Sequence, residues 1–183
     1  MKKIKMILLG LSLAVVFAGC TQSQAPASDP TMMPTAESEE KRLTTYTFKD
    51  EASGVQFTAE VPDTWKKTEL YSHPGDENQE ASPTTGVQFL FSDDGNQLFS
   101  IMAAVDAPFG VDGSLFDSQP YQTEAGLEGL RYTSESNGQI MEYFIFGSGE
   151  TLPQMFAVVI LNADNYALYQ ADIEHAVKSL KIV

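Results

Sequence analysis

The chain closes with MFAVVILNADNYALYQADIEHAVKSLKIV, residues 155–183, and the apolar period changes half-way along it. Phe156-Ala157-Val158-Val159-Ile160-Leu161 is continuously apolar, the pattern of a central strand covered on both faces. Beyond it Tyr169, Ile173, Ala176, Val177 and Leu180 recur at helical spacing and form one apolar stripe. Asp164 or Asn165 can accept from the free amides of the first turn. Asp172 and Glu174 lie early and Lys178 and Lys181 late, as the helix dipole favours, with Glu174 and Lys178 spaced as an i,i+4 pair. A buried strand followed by a one-sided helix is a helix packed on a sheet, so the fold class expected is α+β.

Upstream the period is two. Thr44 to Phe48 alternates, and after a turn at Ala52-Ser53-Gly54, Val55, Phe57, Ala59 and Val61 alternate with Gln56, Thr58 and Glu60. Pro62-Asp63-Thr64-Trp65 closes that strand with a turn. Lys66 to Tyr71 reads as another strand, and Ser72 to Pro83 as an acidic loop holding Asp76, Glu77 and Glu80. Val87, Phe89 and Phe91, then Asp93-Asp94-Gly95-Asn96, then Leu98 to Val105 give a hairpin with a tight primed turn. Residues 107–121 are irregular, Gly126 to Ser134 is a strand with a bulge at Gly129, and Ile140 to Phe146 is a further strand.

Three features together resemble the Mog1/PsbP-like family: Gly54-Val55-Gln56-Phe57 leading into Val61-Pro62-Asp63-Thr64-Trp65, the antiparallel meander, and the amphipathic helix running into Ser179-Leu180-Lys181-Ile182. The resemblance implies a central antiparallel sheet packed against the C-terminal helix in an α/β/α sandwich. Residues 116–126 would have to supply the second helix. It also implies a binding or assembly factor and no enzyme, and it carries over no site residue one by one.

The N-terminus has its own grammar. Lys2, Lys3 and Lys5 precede MILLGLSLAVVFAG, residues 6–19, which holds no charge. Those 14 residues fit a secretory h-region and fall short of the ~20 a membrane-spanning helix needs. Ala18-Gly19-Cys20 resembles the lipobox of bacterial lipoproteins, although Phe17 stands where Leu or Val is usual. The alternative is an ordinary signal peptide beside an incidental cysteine. Cys20 is the only cysteine of 183 residues, and a lone exported thiol has no disulfide partner, so lipidation of Cys20 is the expected use. Residues 1–19 are then a signal peptide, 20–42 a lipidated cysteine and tether, and 43–183 one globular domain. Export and anchoring to the outer face of the cell membrane follow, or to the outer membrane in a cell with two. The tether TQSQAPASDPTMMPTAESEEKR lacks aromatic residues and apolar period, and as a flexible coil would reach on the order of 25–30 Å.

Charge excludes one class of partner. The whole chain carries 11 Lys+Arg against 25 Asp+Glu, and removing Lys2, Lys3 and Lys5 leaves 8 against the same 25, a balance of −17. So few cations disfavour nucleic acid and anionic lipid surfaces. No Gly-x-Ser-x-Gly, His-Glu-x-x-His or phosphate loop is present. His73 and His175 are the two histidines, one in the acidic loop and one on the polar face of the helix, and each reads first as a solvated residue. His73 with Asp76, Glu77 and Glu80, or Asp93-Asp94, or Asp106 with Asp112, lacks the spacing of a dedicated metal site. No cofactor or metal is expected. Trp65 reads as a core or rim anchor before a ligand-stacking residue, and Tyr143 to Phe146 as core strand before groove. The function expected is a non-catalytic, lipid-anchored binding or assembly domain with an envelope protein partner. The alternative is a small-molecule or metal-ion binder, using Trp65, His73 or the acidic loop.

Overall fold

The computed structural model describes residues 42–71, 84–147 and 151–183. Cys20, the signal peptide, the tether, His73 and the acidic loop lie outside the described residues. Ten strands and one helix follow each other as β1 (Leu43–Asp50), β2 (Val55–Pro62), β3 (Lys67–Leu70), β4 (Thr84–Leu90), β5 (Leu98–Ala104), β6 (Asp117–Gln122), β7 (Glu128–Ser136), β8 (Gln139–Phe146), β9 (Gln154–Asn162), α1 (Ala163–Lys178) and β10 (Lys181–Ile182). Every pairing is antiparallel. Seven strands form one sheet in the order β3-β4-β5-β9-β8-β7-β6, and β1-β2-β10 form a small one. The fold class is α+β, an antiparallel sheet packed against a C-terminal helix.

Alternation decides where the core sits. On β2, Val55, Phe57, Ala59 and Val61 are buried, as the period of two requires. On β5 and β9, Phe99, Ile101 and Ala103 and Met155, Ala157, Val159 and Leu161 point to the same side. From α1 come Ile173, Ala176 and Val177, and Leu180 follows just beyond its end; all are at most 1% exposed. These side chains and the inner face of β1 and β2 make one core. Full burial of a Val, Leu, Ile or Phe side chain is worth about 1.5–3 kcal/mol, so this face carries the bulk of the stability. β9 is the central strand, with three strands on either side. Its second face is only partly covered: Val158 and Ile160 keep intermediate exposure.

Several expectations change. Residues 117–122 form the edge strand β6 where a second helix was expected. Pro120 cannot donate a ladder hydrogen bond, and an edge strand tolerates that. Among the described residues one helix packs on one face, and the opposite face is roofed only by the segment after β5. The helix cap is Asn162, whose side chain accepts from the Asn165 amide at 2.8 Å; Asp164 sits inside the first turn. Glu174 and Lys178 turn toward the sheet instead of each other, to Tyr121 and Arg131 and to the Gln122 carbonyl. No bulge interrupts β7, whose register runs unbroken through Gly129. Glycine is needed there because a Cβ would collide with the carbonyl oxygen of Ile145 and lie 2.9 Å from the Cα of Phe146. The β4–β5 connection is a wider loop, closed by Phe91 N–H donating to Gln97 O at 2.9 Å, with Gly95 at φ 73°. A short return strand, β10, pairs with β2 after the helix, where only a helix end was read.

Between α1 and β7–β8 lies a polar knot. Glu142 shares the inward face of Phe144 and is 3% exposed. Arg131 Nη2 donates to Glu142 Oε1 at 2.5 Å and Tyr166 Oη donates to the same oxygen at 2.8 Å. Arg131 Nη1 stands 3.5 Å from Glu174 Oε2, and Tyr121 Oη donates to Glu174 Oε1 at 3.1 Å. Burial, then the bond to Glu142, pushes the Tyr166 hydroxyl up to about 12; burial likewise raises Tyr121.

Two outcomes follow from the knot. Removing one partner of a buried ion pair typically costs ~3–5 kcal/mol, whereas an apolar replacement of both is often neutral. Arg131→Met alone should therefore lower the urea midpoint far more than Arg131→Met combined with Glu142→Leu, read by circular dichroism. Alkali should act on the tyrosines. A folded value raised above the ordinary ~10 means their contribution is intact below pH 10 and lost as pH rises through the folded values. Tyr166 and Tyr121 should ionise above the ordinary range and together with unfolding. Tyrosinate absorbance that completes near pH 10 with native dichroism would contradict the buried placement.

Candidate binding cleft at Trp65

The corner that ends β2 decides where Trp65 goes. Pro62 fixes the backbone, the Trp65 amide donates back to Pro62 O at 3.1 Å, and Asp63 N–H donates to Arg42 O at 2.9 Å. The turn throws the indole across the start of the large sheet. Its ring lies 5.3 Å from Phe89 and 5.9 Å from Phe99, both fully buried. It also meets Phe91 edge-on at 5.2 Å and Tyr169 of α1 at 6.5 Å, and those two rings stack at 4.4 Å. Trp65 is thus half-buried, its base on core aromatics and its outer edge open.

Three separate elements meet around that edge: the Trp65 corner, the loop after β4, and the first turns of α1. Gln97 fixes the last two together, its Oε1 accepting from the Asn162 amide at 3.1 Å and from Asn165 Nδ2 at 2.8 Å. Asp94 shapes the loop by accepting from the Ser92 hydroxyl at 2.6 Å and the Asn96 amide at 3.1 Å. Those bonds hold its carboxyl below the usual carboxylate range. The result is a cleft of about 700 Å³, within the ~300–1,000 Å³ of small-molecule and peptide side-chain pockets. Its walls are Trp65, Phe91, Leu90, Leu168 and Tyr169, with Lys66 and Asp93 at the rim. Leu90 and Leu168 are 40% and 59% exposed. An aromatic floor, exposed leucines and a polar rim, here including Thr64, Thr68 and Ser92, are the anatomy of a recognition hot spot.

The other expected residues fare differently. His175 Nε2 is 2.7 Å from Glu60 Oε2, so it ties α1 to β2 instead of standing alone in solvent. The nearby Ser179 hydroxyl donates to Ala176 O at 3.0 Å and accepts from the Glu60 amide at 2.8 Å. A hydroxyl committed to the backbone on both sides is no activated nucleophile. Among the described residues no group of three or more His, Cys, Asp or Glu is placed to hold a metal ion, and no helix is long and apolar enough to cross a membrane. Of the other sequence candidates, Asp93 stands at the rim of the cleft with Trp65, and His73 and the acidic loop lie outside the described residues. Leu168, Leu90 and Lys66 were missed: Leu168 lies off the helix stripe, Leu90 off the hairpin alternation, and only the tertiary meeting of three elements unites them.

No family model and no curated protein matches this sequence. Among solved structures it is similar to the solution structure of cyanobacterial PsbP (CyanoP) from Synechocystis sp. PCC 6803, with a TM-score of 0.46 and 7% identity, over 83% of this chain and 99% of that one. At 7% identity no residue role passes from one chain to the other.

Trp65 is the only tryptophan, so its fluorescence reports the cleft directly. Acrylamide should quench it to a degree between those of a free indole and of a fully buried one. Leu168→Arg, at an exposed site, should change stability by no more than ~0.5 kcal/mol. Trp65→Ala should cost somewhat less than the ~3–5 kcal/mol of a fully buried tryptophan. Equal losses for the two substitutions in urea melts would show that Trp65 does not rest on the core.

Proposed function

We propose that this protein is an exported lipoprotein, anchored through lipid on Cys20, whose domain is a non-catalytic binding module that takes an apolar side chain of an envelope protein into the Trp65 cleft. The single observation that carries the reading is the cleft itself. A half-buried tryptophan rests on buried Phe89 and Phe99 and is ringed by exposed Leu90 and Leu168. Such surface is stable to leave exposed only at a modest cost, and an anchor residue from a partner would desolvate it. The lipobox-like Ala18-Gly19-Cys20 supports the anchor, and the polar run from Thr21 to Arg42 supports a tether long enough to clear the headgroups. A strongly acidic mature chain supports a partner other than nucleic acid.

The test joins both halves. A photo-crosslinking residue at exposed Leu168 should trap one discrete protein in intact cells. The same residue at Ser118, on the far edge strand β6, should trap none. Leu90→Arg should abolish the Leu168 adduct, and Cys20→Ser should stop fatty-acid incorporation and release the chain from membranes. Adducts that are no more discrete at Leu168 than at Ser118 would remove the cleft reading. Radiolabelled fatty acid still entering the serine variant would remove the anchor reading.

A further inference from the structure

The face of the large sheet opposite α1 carries a second hollow, independent of the Trp65 cleft. Leu70, Gly86, Met102 and Phe156 stand in one row across β3, β4, β5 and β9. The row is low where Gly86 lacks a side chain. A Cβ there would meet the Cα of Met102 at 2.7 Å and its sulfur at 2.9 Å, so β4 and β5 approach too closely for any other residue. Next to that row, Gln88 pairs with Ser100. After β5 the chain turns back over the face, and Phe109 stacks on Phe156 with centroids 4.2 Å apart and planes 4° apart. Ala107 to Gly110 thereby roof a pocket of about 410 Å³ whose floor is Ser100, Met102 and Phe156.

Its polar content is what makes it more than a gap in packing. Ser100, 5% exposed, and Gln88 bring a hydroxyl and an amide to the lining of the hollow. Both groups border the hollow, an apolar pocket with a few convergent polar groups. No charged side chain is among the described lining residues. A charge placed there would be desolvated without a counter-ion, which is strongly unfavourable.

We propose that this pocket binds a small, uncharged, flat-ringed molecule, its ring beside Phe109 and Phe156 and one amide or hydroxyl group hydrogen-bonded to Ser100 and Gln88. The probes are 2-naphthamide and 2-naphthoate, alike in shape and differing in charge. They are titrated into the isotope-labelled full chain, with Cys20→Ser to keep it off membranes, and followed by amide NMR. Naphthamide should give saturable shifts at Ser100, Met102 and Phe109, and naphthoate none at the same concentrations. Ser100→Ala, which keeps the packing, should weaken naphthamide about 2- to 10-fold. Ala107→Phe should abolish binding by filling the mouth, its amide spectrum confirming the fold. Leu168→Arg should leave the titration unchanged. The proposal is overturned if naphthoate binds as well as naphthamide, if the saturable shifts fall at Phe91 and Tyr169, or if no saturable shift occurs. It is equally overturned if Ser100→Ala binds naphthamide as tightly as the parent.

Discussion

The structure depends on the contact between one face of the β5–β9 strand pair and the layer formed by α1 with β1 and β2. Phe99, Ile101, Ala157, Val159 and Leu161 supply one side, and Phe57, Ile173, Val177 and Leu180 the other, all at most 1% exposed. Because side chains alternate along a strand, loading one face with large apolar groups leaves the opposite face to be settled separately. Here it is settled incompletely. Met102, Ile145 and Phe156 are buried there, and among the described residues the cover is the Phe109 segment and not a second helix. The two hollows described above follow from this asymmetry. One opens where three elements converge at the end of the well-packed layer, and the other lies under a thin roof on the opposite side.

The polar knot of Arg131, Glu142 and Tyr166 explains why the helix has one seating and not several. An apolar stripe alone allows α1 to slide or rotate over Val159 and Phe144, since hydrophobic contact is non-directional. Glu142 accepts from both Arg131 and Tyr166, and Arg131 lies 5.2 Å above the Phe144 ring. Those directional contacts, with Gln97 bridging Asn162 and Asn165 beside them at the start of the helix, fix rotation and register together. The position of Leu168 and Tyr169 beside Trp65 is set by that register. The cleft therefore depends on a network that lies outside its own lining.

Much of this was legible in the sequence, and what was not has physical causes. The alternation of Val55, Phe57, Ala59 and Val61, the continuous run before the helix, and the stripe of Ile173, Ala176 and Val177 are periodic signals, and each became the element read from it. Local chemistry misled at boundaries. Asn162 and Asp164 are both good capping residues, and the choice between them was made by Gln97, distant in sequence. Gly129 looks like a bulge because a glycine in a strand has two uses, and spacing alone cannot separate a bulge from a close backbone approach. Residues 117–122, DSQPYQ, carry almost no apolar period, since this edge strand buries only Tyr121. Glu142 was hidden by type: a glutamate at a core position of an alternating strand is visible as an anomaly, yet its partner Arg131 is found only once the β7–β8 register is known.

The Trp65 site shows the same division between what is local and what is tertiary. Val-Pro-x-x-Trp announces a turn that projects an aromatic residue, and the structure places that residue at a rim and not in the interior. What the motif cannot say is what faces it, because Phe91, Leu168 and Tyr169 arrive from two other elements. Each of those elements is shaped by its own local bonds, Asp94 within the loop and Asn162 at the helix cap. The assembled surface is apolar at its base and carries a Lys66–Asp93 rim without net charge, on a chain that is otherwise strongly acidic. A neutral, aromatic recess in an acidic surface repels few partners by charge locally and selects by shape and desolvation. That is the physical basis for reading it as a place where an apolar group is recognised rather than where a charged substrate is turned over.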